Sequence, residues 1–178
     1  PLLGGYAKID DRFTSEAPDT LDGMTYMAYA THHEEGGELD LAEDYGAIRW
    51  MQDNVQGSPV IIEANQVEYH WGTRFTVYTG LPGVVGWNWH QRQQRTIVPH
   101  DWVYERVDGV HEFYQTEDVT WAHDFLTRFE VSYIVLGQLE RGKYPGPGLD
   151  KFSTYEGQLW RQVYQDGDTA IYEVIQDK

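Results

Sequence analysis

Two short runs of apolar residues, several of them β-branched, constrain the fold of this chain more than any other feature. They are VIIEA at 60–64 and VSYIVLG at 131–137. Runs of this length without polar alternation are typical of strands that helices cover on both faces. Because helical patterning lies between them, we predict that the two strands are parallel neighbours in the centre of a sheet, with right-handed crossovers.

Segments with helical periodicity precede both runs. Asp40 is the predicted N-cap of the first helix, and Glu43 stands at the spacing of a capping box. That helix carries one apolar stripe of five residues, Leu41, Tyr45, Ile48, Met51 and Val55. Ahead of the second run, 101–114 is weakly helical, and 117–129 is a clearer amphipathic helix with Thr116 as its N-cap.

The remaining segments complete the predicted secondary structure. Apolar residues at helical spacing predict a further helix over 20–33. Glycines, joined by prolines in the second case, predict loops over 34–40 and 138–148. Two strand-like segments flank Asp166-Gly167-Asp168, and an Asp-Gly pair in such a position is typical of a β-hairpin turn.

These elements predict a single α/β domain over 19–178, preceded by an irregular lead-in at 1–18. The predicted fold is a mixed sheet with parallel central strands, flanked by helices and ending in a C-terminal β-hairpin. The chain begins at Pro1 rather than at a methionine, so we expect it to be part of a longer or processed protein.

Charge and composition exclude several classes of partner and site. The 178 residues carry 13 Lys and Arg against 29 Asp and Glu, a formal net charge of −16. Such a chain lacks the basic footprint that nucleic acids require, and an anionic membrane surface would repel it. The absence of cysteine excludes disulfides and thiolate chemistry, and no apolar run approaches the roughly 18 residues of a membrane-spanning helix.

One stretch, Tyr69–His100, departs from this acidic composition, and we call it the central stretch. It contains three arginines and no carboxylate, so its formal charge is +3. The other 146 residues hold ten basic and all 29 acidic side chains, a net charge of −19. A basic, aromatic stretch in an acidic chain favours the binding of an anion or a sugar.

Eight side chains of the central stretch are the candidate ligand-binding residues: Arg74, Arg92, Arg95, His70, His90, Trp71, Trp87 and Trp89. Guanidinium groups bind phosphate through paired hydrogen bonds, and tryptophan offers a sugar an apolar face and an N–H at its edge. Imidazole can add positive charge near neutral pH. In the alternative interpretation, the tryptophans belong to the core and the arginines pair with some of the 29 acids.

The sequence favours no catalytic, metal or cofactor site. His111-Glu112 begins the segment HEFYQ, which lacks the second histidine of a zinc-binding H-E-x-x-H helix. There is no G-x-S-x-G nucleophile elbow and no phosphate-binding loop. Nothing singles out an acid–base pair among the 29 carboxylates. The sequence therefore identifies no catalytic residue, and we predict no metal ligand and no cofactor within this chain.

The order of motifs in this chain resembles that of the YYY-type membrane proteins of bacteria and archaea. These multi-spanning proteins are similar to the GT-C class of glycosyltransferases, which use lipid-phosphate sugars. The matching segments cover nearly the whole chain beyond residue 19: TLDGMTYM (20–27), DYGAIRWM (44–51), GLPGVVGWNWHQRQQR (80–95), YIVLGQLERGKYPGPGLDKF (133–152) and VYQDGDTAIYEV (163–174). Within the third segment, GWNWHQRQQR is the specific motif.

The resemblance implies a place and a role for the chain. It implies a soluble carboxy-terminal domain on the outer face of the cytoplasmic membrane, tethered through transmembrane helices of the same polypeptide. The catalytic carboxylate of GT-C enzymes usually lies on a loop among those helices. We therefore expect this domain to bind a lipid-phosphate sugar or a glycan acceptor rather than to catalyse transfer, with the candidate residues on a concave face turned toward the membrane part. The alternative is a stand-alone extracytoplasmic module that binds carbohydrate or a partner and has no transferase activity.

Overall fold

Helices cover a four-stranded sheet in the computed structural model, which describes residues 20–34, 37–95 and 101–176. Within these ranges the strands are β1 Thr31–Glu34, β2 Gly37–Asp40, β3 Val60–Ile62, β4 Val131–Leu136, β5 Trp160–Asp166 and β6 Thr169–Val174. The α-helices of the same ranges are α1 Leu41–Asn54, α2 Arg74–Thr79, α3 Asn88–Gln94, α4 Asp101–Gln115, α5 Val119–Arg128, α6 Gln138–Lys143 and α7 Lys151–Thr154. Short 3-10 helices occupy Thr25–Ala28 and Pro147–Asp150.

The main sheet has the strand order β3-β4-β6-β5. β3 and β4 are parallel and the other two pairs are antiparallel, which confirms the predicted mixed sheet with its C-terminal hairpin. The predicted central position in the sheet is confirmed for β4 but wrong for β3, which ends the strand order. Its outer edge is nevertheless hydrogen-bonded, because Ile61 N donates to Pro82 O (2.8 Å) and Ile61 O accepts from Val84 N (3.1 Å).

The core is built from the parallel strands and the helices that cover them. Ile61 and Ile62 of β3, Ile134 of β4, and Ile48 and Met51 of α1 are fully buried in one cluster. Each such side chain contributes about 1.5–3 kcal/mol by leaving water. Buried aromatic side chains join α4, α5, α7 and β5 in the same cluster: Phe113, Tyr114, Phe125, Phe152 and Trp160.

The first turn of α1 connects this helix to the β5–β6 hairpin. As predicted, Asp40 is the N-cap, and its Oδ1 accepts a hydrogen bond from Ala42 N (3.0 Å). The predicted capping box is wrong, since Glu43 points away from the N-cap. Glu43 Oε2 accepts hydrogen bonds from Asp168 N (2.9 Å) and Thr169 Oγ1 (3.0 Å) instead. The carboxylate therefore ties α1 to the β5–β6 turn.

Two predictions near the start of the described chain are wrong. The helical spacing over 20–33 belongs to a single 3-10 turn that buries two methionines, after which the chain enters β1. The predicted loop over 34–40 contains β2, which pairs with β1 as an antiparallel two-stranded sheet. Among the described residues of the two strands, Glu34 and Leu39 are the buried ones. Apolar alternation, the usual sign of a strand, was therefore absent.

The predicted loop over 138–148 and the predicted N-cap Thr116 are also wrong. α6 occupies the first six residues of that loop, and Gly137 N donates to Glu140 Oε2 (2.9 Å) at the first turn. α5 is capped by Asp118, whose Oδ1 accepts from the N–H groups at the second and third helical positions (3.0 and 3.1 Å). The loop prediction failed because α6 depends on the burial of the Glu140 carboxylate, which involves residues distant in sequence. The N-cap prediction failed because the cap, Asp118, lies two residues after Thr116.

The other elements agree with the sequence. α4 covers the predicted helix over 101–114, and α5 lies within 117–129. Gly167 in the β5–β6 turn has a φ of +51°, a value that favours glycine. The predicted lead-in at 1–18 lies outside the described residues. Across the described ranges, no helix combines the length and the hydropathy needed to cross a membrane.

Candidate functional site

The central stretch follows the carboxyl end of β3, the edge at which open α/β sheets usually bind ligands. It contains α2 and α3 and is described as far as Arg95, so His100 lies outside the described residues. The structure divides the eight candidate residues among four places. These are an interior charge cluster, a contact with the β1–β2 hairpin, an aromatic cleft and a surface of stacked arginines.

Arg74 lies in the interior, with 2% of its surface exposed. Its Nε donates to Asp44 Oδ2 (2.6 Å), and its two terminal nitrogens donate to the two oxygens of Glu140 (2.9 Å each). This paired geometry is the strongest arrangement of arginine and carboxylate. Arg74 is therefore a structural residue rather than part of a ligand-binding face. It pairs with acids, as the alternative interpretation of the sequence proposed.

Three buried carboxylates, those of Asp44, Glu63 and Glu140, surround this one guanidinium. Burial opposes the charge on Glu140, but Arg74 holds the pKa of that carboxyl below its ordinary value. Burial raises the pKa of Glu63 to about 7, although Arg74 Nη1 at 3.9 Å opposes the rise. Glu63 also accepts hydrogen bonds from Phe75 N and Thr76 N (2.8 Å each), and it thereby provides acceptors for two backbone N–H groups in the first turn of α2.

Glu34, the last residue of β1, fixes two more of the candidates. Its carboxylate accepts a hydrogen bond from Trp71 N (2.6 Å) and contacts His70 Nδ1 (2.9 Å) and His32 Nε2 (3.2 Å). Trp71 Nε1 donates in turn to Asp44 Oδ2 (2.7 Å). Burial opposes ionisation of Glu34, yet the hydrogen bonds from His70 and Trp71 lower its pKa to about 2. His70 and Trp71 therefore fasten the β1–β2 hairpin to the central stretch.

Acid is expected to destabilise the fold through Glu34. Its folded pKa of about 2 lies below the ordinary value of 4.5, so the stability it contributes is present above pH 4.5 and is lost as pH falls toward 2. We expect Glu34→Gln to lower the free energy of unfolding above that window by about 1–3 kcal/mol. The variant should also show a flatter decline within the window. Urea denaturation at a series of pH values measures both effects.

Glu38→Gln is the control for this experiment, because Glu38 is an exposed acid in the same hairpin. It should leave the free energy of unfolding and its pH dependence close to those of the unmodified chain. The same pH dependence in both variants would contradict the role assigned to Glu34.

Trp87 and His90 line a cleft of about 370 Å³ that we call the aromatic cleft. The cleft has eight lining residues: Thr73, Thr76, Val77, Gly86, Trp87, His90, Gln91 and Gln94. The Trp87 and His90 rings are 5.3 Å apart, and the Tyr69 ring lies 5.5 Å from the first and 5.9 Å from the second. The cleft thus combines aromatic faces with neutral hydrogen-bonding groups, and its lining includes no carboxylate.

Three polar atoms of cleft residues are buried without a partner in the part of the chain that the structure describes: Trp87 Nε1, Thr73 Oγ1 and Thr76 Oγ1. An unpaired buried polar group costs about 1–3 kcal/mol. The backbone is also strained, because Thr73 and Tyr69 have φ values of +62° and +71°, and a β-branched residue rarely adopts such a value. Strain of this kind clusters at active sites and ligand clamps.

Arg92 and Arg95 are stacked on aromatic rings. The Arg92 guanidinium lies 4.9 Å from the ring of Trp89 and 4.8 Å from that of Tyr104, and the Arg95 guanidinium lies 5.0 Å from the ring of Trp102. Trp89 is 49% exposed. Within the described ranges, neither arginine forms an ion pair with a carboxylate. Both are therefore positive charges that stacking holds near the surface.

Of the residues predicted from the sequence, Trp87 and His90 line the cleft, whereas Thr73 and the acids around Arg74 were not predicted. Asp44 and Glu140 lie 30 and 66 residues from Arg74 in sequence, so only the fold brings them together. The strained backbone of Thr73 has no sequence signature either, since threonine does not favour a positive φ. Among the described residues, no group of three or more potential metal ligands is arranged to hold an ion.

The sequence matches no known family model, and a search of curated protein sequences finds no significant match. Among solved structures, the chain is similar to the C-terminal globular domain of an oligosaccharyltransferase from Archaeoglobus fulgidus. That similarity has a TM-score of 0.48 and 13% sequence identity, and it covers 73% of this chain and 95% of the other.

Proposed function

We propose that this chain is an extracytoplasmic domain of a membrane protein resembling the GT-C glycosyltransferases, and that its aromatic cleft binds the glycan of a substrate or acceptor. The observation that carries this proposal is Trp87. Its ring lines the cleft, and its buried indole N–H has no partner among the described residues. The transmembrane part of the same polypeptide would deliver the lipid-phosphate sugar.

The chemistry of the cleft suits a sugar. A pyranose presents an apolar face of C–H groups, which packs on an indole ring, and hydroxyl groups around its edge, which donate and accept hydrogen bonds. A sugar hydroxyl could accept from Trp87 Nε1, and Thr73 Oγ1 and the Gln91 amide offer further donors and acceptors. A buried donor without an acceptor costs about 1–3 kcal/mol, and a sugar hydroxyl that accepts from it recovers part of that free energy. The strained backbone at Thr73 then serves to hold these groups in place.

The cleft is suited to binding rather than to bond cleavage. Enzymes that act on glycosidic bonds generally use a pair of carboxylates at the reacting carbon. The residues that line the aromatic cleft include none. The buried acids among the described residues, in contrast, are occupied by Arg74, by His70 and by the N–H groups of neighbouring backbone. We therefore place catalysis in the membrane part of the protein and recognition in this domain.

Trp87→Phe is expected to weaken the binding of neutral oligosaccharides by about fivefold, because it removes one hydrogen bond worth about 1 kcal/mol. Trp87→Ala should weaken binding further, since it also removes the stacking surface. The measurement is isothermal titration calorimetry with oligomers of hexoses and of N-acetylhexosamines, for which we expect dissociation constants in the millimolar range. Trp121→Phe is the control, because Trp121 is partly exposed and stacks on Phe125 outside the cleft.

Equal losses for the Trp87 and Trp121 variants, or unchanged affinity after Trp87→Ala, would contradict the role of the cleft. The coding sequence upstream of Pro1 provides a separate test of whether the chain belongs to a membrane protein. Several long hydrophobic segments are expected there, and their absence would favour the stand-alone module.

A further inference from the structure

Arginine and aromatic side chains alternate around the contact between α3 and α4 and on to the end of α5. We call this surface the arginine–aromatic face, and it comprises Arg92, Arg95, Arg106, Arg128, Trp89, Trp102, Tyr104 and Phe129. Arg106 links its parts, because its guanidinium lies 5.2 Å from the Trp102 ring and 4.8 Å from the Phe129 ring. Its Nη1 also donates to Val84 O (2.8 Å), which fixes its position.

Positive charge is concentrated in this face. Burial lowers the pKa of Arg106, and the charges of Arg95 and Arg128 lower it further, so these three guanidiniums lie close enough to repel one another. Glu105 pairs with Arg128 (2.6 Å), and Glu68 accepts a hydrogen bond from the first turn of α3. Four of the 13 basic side chains are thus gathered in one face of a chain whose net charge is −16.

Stacking leaves these groups able to bind an anion. A guanidinium that stacks on a ring uses its flat face, while its N–H groups remain at the edge and can donate to phosphate oxygens. Arg92 already donates one hydrogen bond from each terminal nitrogen, to Tyr104 Oη and to Asn88 Oδ1 (3.0 Å), so it keeps one N–H on each for a phosphate. Arg95 is exposed, and the Arg128 side chain is 60% exposed. Trp89 and Tyr104 are 49% and 47% exposed. Exposed amphipathic rings beside arginine are typical of surfaces that meet the boundary between water and lipid.

We propose that the arginine–aromatic face binds the headgroups of anionic phospholipids and seats the domain on a membrane surface. The arginines hold lipid phosphates, and Trp89 and Tyr104 pack at the level of the headgroups. The net charge of −16 predicts repulsion, but charges farther away than a Debye length of about 8 Å are largely screened at physiological salt. The charge nearest the bilayer therefore decides the sign of the interaction. None of the eight residues lines the aromatic cleft, so this proposal is independent of the carbohydrate site.

Cosedimentation of the 178-residue chain with vesicles tests the proposal. We expect binding to vesicles of phosphatidylglycerol and phosphatidylcholine in equal parts, weaker binding to pure phosphatidylcholine, and a loss of binding as salt is raised. The double variant R92Q/R95Q should lower the partition coefficient by about thirtyfold, because each basic side chain near an anionic bilayer contributes about fivefold. Thermal unfolding of the variant should match that of the unmodified chain.

The matched control is R141Q/R161Q, which removes the same charge from arginines outside the face. Arg161 is exposed and pairs with Glu173, and Arg141 donates to Asp168 O (2.8 Å). Equal losses in the two double variants, or equal binding to both kinds of vesicle, would overturn the proposal. Binding of inorganic pyrophosphate without binding to vesicles would assign the face to a soluble phosphate ligand and would overturn it as well.

Discussion

Replacing Arg74 by methionine is expected to lower the free energy of unfolding by about 3–5 kcal/mol, the cost of breaking a buried ion pair from one side. Methionine fills much of the same volume, so the loss arises mainly from charge rather than from a cavity. Asp44 and Glu140 would lose their hydrogen bonds to the guanidinium. Both acids are buried, and an uncompensated buried carboxylate is strongly unfavourable.

The pH dependence of this variant identifies the cause. Without Arg74 the buried carboxyl of Glu140 favours its neutral form, so its folded pKa rises above the unfolded value of 4.5. Such groups contribute stability below the unfolded pKa and lose it as pH rises. The difference between Arg74→Met and the unmodified chain should therefore shrink as pH approaches 4.5. Urea denaturation at several pH values measures it.

Arg161→Met is the control for Arg74→Met. Arg161 forms an ion pair with Glu173, but its side chain is 65% exposed. Exposed pairs of this kind contribute at most about 1 kcal/mol. Similar losses in the two variants would show that the interior charge cluster does not stabilise the fold in the way proposed.

Gly148→Ala is expected to destabilise the protein by about 3 kcal/mol, at the upper end of the usual cost of overpacking. A Cβ atom at Gly148 would lie 2.2 Å from Gln115 O and 2.7 Å from Tyr114 O. Both are backbone atoms at the end of α4, so no rotation of a side chain relieves the contact. Lys151 Nζ donates to the same Tyr114 carbonyl (3.2 Å) and to Gly148 O (2.5 Å), and the substitution would disturb these bonds too.

Gly142→Ala provides the matched control. A Cβ at Gly142 meets no atom within 4 Å, and the residue lies in α6. Alanine favours a helix by about 1 kcal/mol over glycine, so this variant should be as stable as the unmodified chain or slightly more stable. Thermal unfolding of the two variants side by side measures the contrast. An unchanged melting temperature for Gly148→Ala would contradict the close packing of the 3-10 helix Pro147–Asp150 on α4.

Sequence patterns predicted those elements whose signal is local. The β-branched runs gave β3 and β4, and the Asp-Gly turn gave the β5–β6 hairpin, because burial on both faces and turn geometry each leave a mark in neighbouring residues. The β1–β2 hairpin left no such mark. It is held by the carboxylate of Glu34, which bonds to Trp71 37 residues away. α6 was missed for the same reason, since Glu140 belongs to a distant ion pair.

The candidate site likewise combines features that have a local sequence signal with features that depend on distant residues. The charge contrast of the central stretch directed attention to this region, and Trp87 and His90 line a cleft within it. Charge alone could not separate Arg74, which pairs with acids in the interior, from Arg92 and Arg95, which stack on aromatic rings. That distinction depends on which helices pack together. Sequence spacing does not contain it.

The most direct test of the account is a titration of the indole N–H signals by heteronuclear NMR, with neutral oligosaccharides added at millimolar concentrations. The Trp87 N–H has no partner among the described residues, whereas the Trp160 N–H is fully buried and donates to Phe152 O (3.0 Å). If the aromatic cleft binds a glycan, the Trp87 signal, assigned through Trp87→Phe, moves as its N–H gains a sugar acceptor, and the Trp160 signal stays in place. A Trp87 signal that does not move with any of the oligosaccharides would contradict the account.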